Sequence, residues 1–325
     1  MAPTVLCLRP EADFARVEAL PPPGLDVVYR PPDDPALGNL VRKAIALVIP
    51  AVGPKLPVAL FEGTALRLVQ VTGAGVDRLD RAALKRLRIP VANVPGGSSS
   101  AVAEYAVTAA SLLLRCFVSA DAEIKRGNYT SYRSHMLAKN LSGLDGLLVG
   151  IIGFGTIGRA VAQAFRNLGC RIGYLDPDAD ASAAEAIGAS PMTFGDLLTA
   201  ADIVTLHVPL LPETRNLIGE NELAKMKPGA VFIQASRGGI VDEAALAACL
   251  AAGRIHGAAV DVYDTEPARS DSPLLMLKGE AAQRLLLTPH IGGVTRQASA
   301  LLFRAAWENV ERVLLRNEPP HHRVF

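Results

Sequence analysis

Residues 149–165 read VGIIGFGTIGRAVAQAF, with Gly153, Gly155 and Gly158 in G-x-G-x-x-G spacing between an apolar run and a helical pattern. No other stretch constrains the fold so strongly. Ile157, Ala160, Val161, Ala164, Phe165 and Leu168 recur at three- and four-residue intervals, which is one apolar face of a helix. In such a strand–turn–helix unit Gly153 permits the tight turn. Gly155 lets the backbone approach a pyrophosphate, and Gly158 allows helix and strand to pack closely. The N–H groups that open the helix, on Thr156 and Ile157, then face phosphates with the helix dipole behind them. Asp176 ends the next strand, in YLDPD, 18 residues after Gly158. A carboxylate there accepts hydrogen bonds from ribose hydroxyls and repels a 2′-phosphate. No Arg or Lys follows within DPDADASAAEA, so the expected cofactor is NAD rather than NADP. A tight turn with no ligand is the plain alternative.

The rest of the chain alternates in the same way. In the first third, strands are expected at 4–8, 26–29, 45–49, 67–71 and 89–93, with a helix near 81–86. A second series has strands at 148–153, 171–175, 203–208, 230–235, 257–260 and 285–287. Strands alternating with helices indicate parallel βαβ units. Long helical patterns at 100–116 and 297–316 separate the two series. The expected fold is therefore α/β, with two flavodoxin- or Rossmann-like doubly wound domains and a binding cleft between them. Residues 1–99 plus 291–325 would form a discontinuous substrate domain, and residues 100–290 an NAD-binding domain. Residues 123–140 are polar and unpatterned, and are expected to form a surface arm.

Composition narrows the function classes. Half of the 325 residues are hydrophobic and the formal net charge is +1. That excludes a disordered chain. It also gives no electrostatic footprint for nucleic acid or an acidic membrane surface. Cys7, Cys116, Cys170 and Cys249 form no CxxC pair, so no metal site is expected, and four reduced thiols suit a cytoplasmic protein. No secretory leader pattern or spanning apolar run is visible. The adjacent His321 and His322 do not make a metal site. Trp307 lies on the last helical face, where packing is expected.

Three residues carry candidate chemistry, each just after a strand of the second series, the edge at which such sheets bind ligands. Arg237 follows VFIQAS and precedes a Gly pair. Its guanidinium fork suits a carboxylate, although a structural ion pair is the plainer role. Glu266 lies in DVYDTEP and His290 in LLLTPHIGG; alone, each would read as a solvated acid and a structural imidazole. Together they suit reduction of a 2-keto acid. His290 as imidazolium donates a proton to the developing alkoxide, Glu266 orients it and favours its charged form, and Arg237 binds the carboxylate and polarises the carbonyl.

With GFGTIG, Asp176, ASRGGIVDE, AVDVYDTEP and TPHIGG in this order, the chain resembles the D-isomer-specific 2-hydroxyacid dehydrogenase family from about Leu66 onward. The resemblance places the family's catalytic Arg, Glu and His on Arg237, Glu266 and His290. It implies cofactor contacts from Ser236, from Asp261 near the nicotinamide amide, and from His207 on the adenine side. VTGAGVDRLD resembles the family's substrate loop, so the N–H groups of Ala74, Gly75 and Val76 would share the carboxylate with Arg237. NVPGGSSSAVAEYA resembles its hinge. The resemblance also implies a homodimer built around the cofactor domain, acting on a small 2-hydroxy or 2-keto acid such as glyoxylate or hydroxypyruvate. Gln234 stands where the family commonly has Asn, Leu147 where it has Lys, and the arm lacks a frequent Trp. Ala74 disfavours the phosphite branch, which carries Lys there, and the absence of added N-terminal sequence disfavours the formate branch. An NAD(H)-sensing corepressor of the same fold is the alternative. It would be expected to carry extended disordered tails, and the sequence ends at Phe325.

Overall fold

The computed structural model of the protein describes residues 2–325. Contacts divide the chain into two compact units, Met1–Ser98 with Val294–Phe325, and Ser99–Gly293. The sequence placed these divisions at 99/100 and 290/291.

The first unit is a five-stranded parallel sheet: β1 (Thr4–Cys7), β2 (Asp26–Tyr29), β3 (Ala46–Ile49), β4 (Leu68–Val71) and β5 (Val91–Ala92). The spatial order is β2-β1-β3-β4-β5, the flavodoxin-like order. Strands buried on both faces read as continuous apolar runs, and here alternate residues serve two cores. Leu6, Leu47, Ile49, Val69 and Val71 pack on one side. Val5, Cys7, Ala46, Val48 and Leu68 face the other, against Phe14, Phe303, Trp307 and Val310. The closing helix Arg296–Leu314 thus returns the chain to this unit, and Trp307 is a packing residue 5.2 Å from the Phe14 ring.

The second unit is a seven-stranded parallel sheet of β6 (Leu148–Ile152), β7 (Arg171–Leu175), β8 (Ala189–Pro191), β9 (Ile203–Leu206), β10 (Val231–Gln234), β11 (Gly257–Val260) and β12 (Leu285–Leu287). Its order is β12-β11-β10-β9-β6-β7-β8. The chain runs outward from β6 to β8, then restarts at β9 on the other side of β6, so the topological switch lies between β6 and β9. One face is covered by helices Ser99–Leu114 and Thr156–Arg166, whose Ala103, Ala106, Ala110, Val161, Ala162 and Phe165 are buried together. Small residues on the first helix permit that close approach. Leu197, Phe232, Leu246 and Leu250 fill the opposite face.

Three expectations need correction. Residues 123–140 are not irregular: helices Phe117–Lys125 and Tyr129–Ala138 cover most of them, with no buried residue in either. A helix with no buried side chain shows no clear apolar stripe. The strand expected at 89–93 shrinks to Val91–Ala92, because Pro90 has no N–H to offer a ladder. It is instead flanked by the antiparallel C-terminal segment, where Val324 N donates to Val91 O at 2.7 Å. Strand β8 was not foreseen, being a three-residue edge strand that ends on Pro191.

Candidate active site

Register builds the site. Ile152 pairs with Leu175 and Leu206, Gln234 with Leu206 and Val260, and Val260 with Leu287. These strand ends form one row across the sheet. The next residue of each strand therefore continues a second row along the carboxyl edge: Asp176, Gly153, His207, Ala235, Asp261 and Thr288. All but Ala235 are polar or lie in a tight turn.

At the switch point the Gly turn is sterically compulsory. A Cβ on Gly158 would lie 2.1 Å from Gly153 O, and one on Gly153 (φ +91°) would lie 2.5 Å from His207 O. Gly155 is the opposite case, with open space around the same position. The helix starts immediately after it, at Thr156, so the N–H groups of Thr156 and Ile157 open onto that space. Asp176 holds the turn from the neighbouring strand. Its Oδ2 accepts from Phe154 N at 2.7 Å and its Oδ1 from Asp178 N at 3.0 Å. His207 has Nε2 2.9 Å from Thr205 Oγ1, and burial of the ring pushes its pKa down to about 3. Burial thus favours the neutral imidazole.

On the other half of the row, His290 Nδ1 lies 2.8 Å from Glu266 Oε2 and 3.0 Å from Oε1. Burial raises the Glu266 carboxyl, but the His290 hydrogen bond and charge, the Tyr263 N–H and the Arg237 charge outweigh it and hold the group below its usual value. An ionised Glu266 accepts from Nδ1–H, which leaves Nε2 as the nitrogen available for proton transfer. His290 sits at φ +55°, in the left-handed region, where its N–H donates to Asp261 O at 2.8 Å. Histidine is among the side chains that tolerate this region.

Arg237 follows β10 on a turn shaped by Gln234. Gln234 Nε2 donates to Arg237 O at 2.8 Å, and its Oε1 accepts from Ser236 Oγ at 2.7 Å. Gly238 completes the turn, since a Cβ there would collide with Tyr263 O at 1.7 Å. This glycine serves the close approach of the Arg237 and Glu266 loops to one another. Arg237 is half-buried, and its charge reaches Glu266. The second unit thus brings Arg237, Glu266 and His290 together on the edge that carries the Gly turn.

The sequence model of the D-isomer specific 2-hydroxyacid dehydrogenase NAD binding domain matches residues 107–292, more than half of the chain. The chain belongs to this family. Among curated relatives, Archaeoglobus fulgidus D-3-phosphoglycerate dehydrogenase is 37% identical over 72% of this chain and 42% of its own length. Thermococcus litoralis glyoxylate reductase is 35% identical over 83% of this chain and 82% of its own. The chain therefore spans less than half of the first relative. A solved protein of Thermus thermophilus superimposes with a TM-score of 0.84 at 28% identity, covering 99% of this chain and 100% of that one.

As a member of the D-isomer-specific 2-hydroxyacid dehydrogenases, the chain uses NAD. The residues fit that group: the open cradle at Gly155, the helix N-terminus beside it and the Asp176 carboxylate lie at the switch point where doubly wound sheets bind dinucleotides. Two of the expected contacts are buried side chains already engaged by protein groups. Ser236 is buried with its hydroxyl on Gln234. Asp261 is 1% exposed, and its carboxylate accepts from Thr288 Oγ1 at 2.6 Å, Ile291 N at 2.8 Å and Gly292 N at 2.7 Å.

Sequence reasoning missed the hydroxyl network around these groups. Tyr105 OH is 2.7 Å from Thr288 Oγ1, and Tyr263 OH donates to Thr288 O at 2.9 Å. Thr288 was readable as a neighbour of His290 in LLLTPH; Tyr105, 183 residues away, carried no local signal. The expected substrate loop Ala74–Val76 lies in the first unit, after β4. Its Ala74 carbonyl accepts from Asn93 Nδ2 at 2.6 Å, and among the described residues no backbone carbonyl takes the N–H of Gly75. No single described helix is long and apolar enough to cross a membrane.

Proposed function

We propose that the chain is an NAD-dependent 2-hydroxyacid dehydrogenase, working as a reductase of a small 2-keto acid of the glyoxylate or hydroxypyruvate type. The observation that carries this reading is the Glu266–His290 pair, joined through Nδ1 at 2.8 Å beside Arg237 on the cofactor-binding edge. When bound, NADH supplies the hydride that converts the C2 carbonyl to an alcohol. Thr156, Ile157 and Gly155 hold its pyrophosphate, Asp176 its ribose, and His207, Ser236 and Asp261 line the remainder. Arg237 takes the substrate carboxylate in a forked pair of hydrogen bonds and draws charge from the carbonyl. His290 Nε2 gives its proton to the developing alkoxide while Glu266 stabilises the imidazolium and fixes its orientation. In the reverse direction His290 removes that proton. In the first unit, the N–H groups of Ala74, Gly75 and Val76 are proposed carboxylate donors.

A homodimer fits the two helices Phe117–Lys125 and Tyr129–Ala138. Phe117, Val118, Ile124, Tyr129 and Leu137 are all exposed on them, apolar side chains that a second copy could cover. The four free cysteines suit a reducing cytoplasm.

The test is NADH oxidation against glyoxylate, hydroxypyruvate, pyruvate, phenylpyruvate and a sulfonated analogue, with His290→Ala alongside. Turnover that disappears in the variant while NADH still binds supports the reading. Equal turnover in the variant, or none in the parent, overturns it.

A further inference from the structure

In the first unit a buried arginine ties two loops together. Arg78 is 3% exposed. Its Nε donates to Pro54 O at 2.8 Å and its Nη1 to Pro50 O at 3.0 Å. One guanidinium thus grips both ends of the loop that follows β3. Its own carbonyl accepts from Leu56 N at 2.9 Å, which adds a third tie to the same segment. The loop is cut to fit. Gly53 has φ +129°, and a Cβ on it would lie 3.2 Å from the guanidinium carbon. A Cβ on Gly73 would lie 2.8 Å from the Ala51 Cβ, so the loop after β3 rests directly on the loop after β4. That second loop is Gly73–Arg78, and it contains Ala74, Gly75 and Val76.

Nothing in ordinary packing demands a cation here. Among the described residues no carboxylate pairs with Arg78, and its Nη2 is buried with no hydrogen-bond partner. Burial lowers its pKa from the usual arginine value. An uncompensated buried charge is costly, and such departures from local consistency concentrate where function requires them. What the grip achieves is placement of one apolar group. Between the two held carbonyls lie Ala51, Val52 and Gly53; Ala51 abuts Gly73, which opens the Ala74–Val76 loop, and the next residue, Val52, is 41% exposed.

We propose that Arg78 is a positioning residue for substrate specificity: by gripping both ends of the 50–54 loop it fixes Val52 as the rim beside the carboxylate-binding loop and so limits the side chain a 2-keto acid can carry. The inference rests on the dehydrogenase reading and on the assignment of Ala74–Val76 to the substrate carboxylate.

The experiment compares kcat/KM for glyoxylate, hydroxypyruvate and phenylpyruvate in the parent, Arg78→Met and Arg78→Lys, with NADH affinity read from its fluorescence. In Arg78→Met the phenylpyruvate-to-glyoxylate ratio should rise about tenfold, carried by KM, with NADH affinity unchanged. Arg78→Lys keeps a charge but lacks the fork, so its ratio should fall between the two. Amide hydrogen exchange should speed up over residues 50–56. Should Arg78→Met fail to fold, the ratio in Arg78→Lys decides. Unchanged ratios in an active protein overturn this inference and leave the dehydrogenase reading standing. A parent inactive on every 2-keto acid removes both.

Discussion

His290 is held by Asp261 through the main chain: its N–H meets the Asp261 carbonyl at 2.8 Å, while the Asp261 carboxylate takes the N–H groups of Ile291 and Gly292. Both ends of one buried residue therefore fix the turn in which His290 adopts φ +55°. Asp261→Asn turns one acceptor oxygen into a donor facing an N–H. The expected outcome is a loss of about 1–3 kcal/mol, for a buried donor left without an acceptor. A thermal melt should show it, together with a fall in kcat larger than any change in NADH affinity. A variant with parental melting temperature and kcat would mean that the turn is held by other contacts.

Glu266→Gln leaves an oxygen for Nδ1–H but removes the charge that stabilises an imidazolium. Steady-state reduction should slow by about two orders of magnitude with little change in the KM for NADH. The sign of the pH effect follows from the lowered Glu266 pKa. Its folded-state value lies below the unfolded one, so the pair's contribution to stability is present above the ordinary carboxylate range. It is lost as pH falls through the depressed value. Denaturant midpoints measured across that range should drop in the parent and stay flatter in Glu266→Gln.

His207 adds a separate acid dependence. Its pKa is about 3 when folded. The unfolded chain titrates near 6.5, so it binds the extra proton first. Stability should therefore fall as pH drops from about 6.5 toward 3. His207→Gln, which can still reach Thr205, should flatten that limb, and the His207 ring resonances of the parent should not titrate between pH 5 and 7.

Asp176, the proposed ribose acceptor, ties down Phe154 N at 2.7 Å. Asp176→Ala should weaken NADH binding by about tenfold, equivalent to about 1.4 kcal/mol. It should also narrow the preference over NADPH, because a repelling carboxylate is gone. Fluorescence titration with both cofactors measures this. A reduced affinity at an unaltered ratio would leave Asp176 a role in the turn alone.

Most of the local structure was legible because its causes are local. The G-x-G-x-x-G turn, the strands Asp26–Tyr29, Arg171–Leu175 and Gly257–Val260, and the long closing helix all follow from apolar periodicity bounded by turn residues. The two exposed helices after Cys116 were not legible, since a helix that buries nothing leaves no stripe in the sequence. The strand at 89–93 is shorter than its apolar run suggests, because Pro90 offers no N–H to a ladder, and the bonds of Val91 and Asn93 to residues 322–325 come from far along the chain.

The sequence by itself determined which chemical groups are present and that each follows a strand: Arg237 after β10, Glu266 after β11, His290 after β12. Only the tertiary structure decided which of them meet. The register that aligns Ile152, Leu206, Gln234 and Val260 sets the spacing of everything beyond them. Packing in the second unit buries Asp261 and Ser236 and links Tyr105 to Thr288 across 183 residues, and packing in the first unit makes Arg78 a grip on the 50–54 loop. The physical reason is that hydrogen bonds and buried charges are satisfied by neighbours in space. Periodicity records only which way a side chain faces.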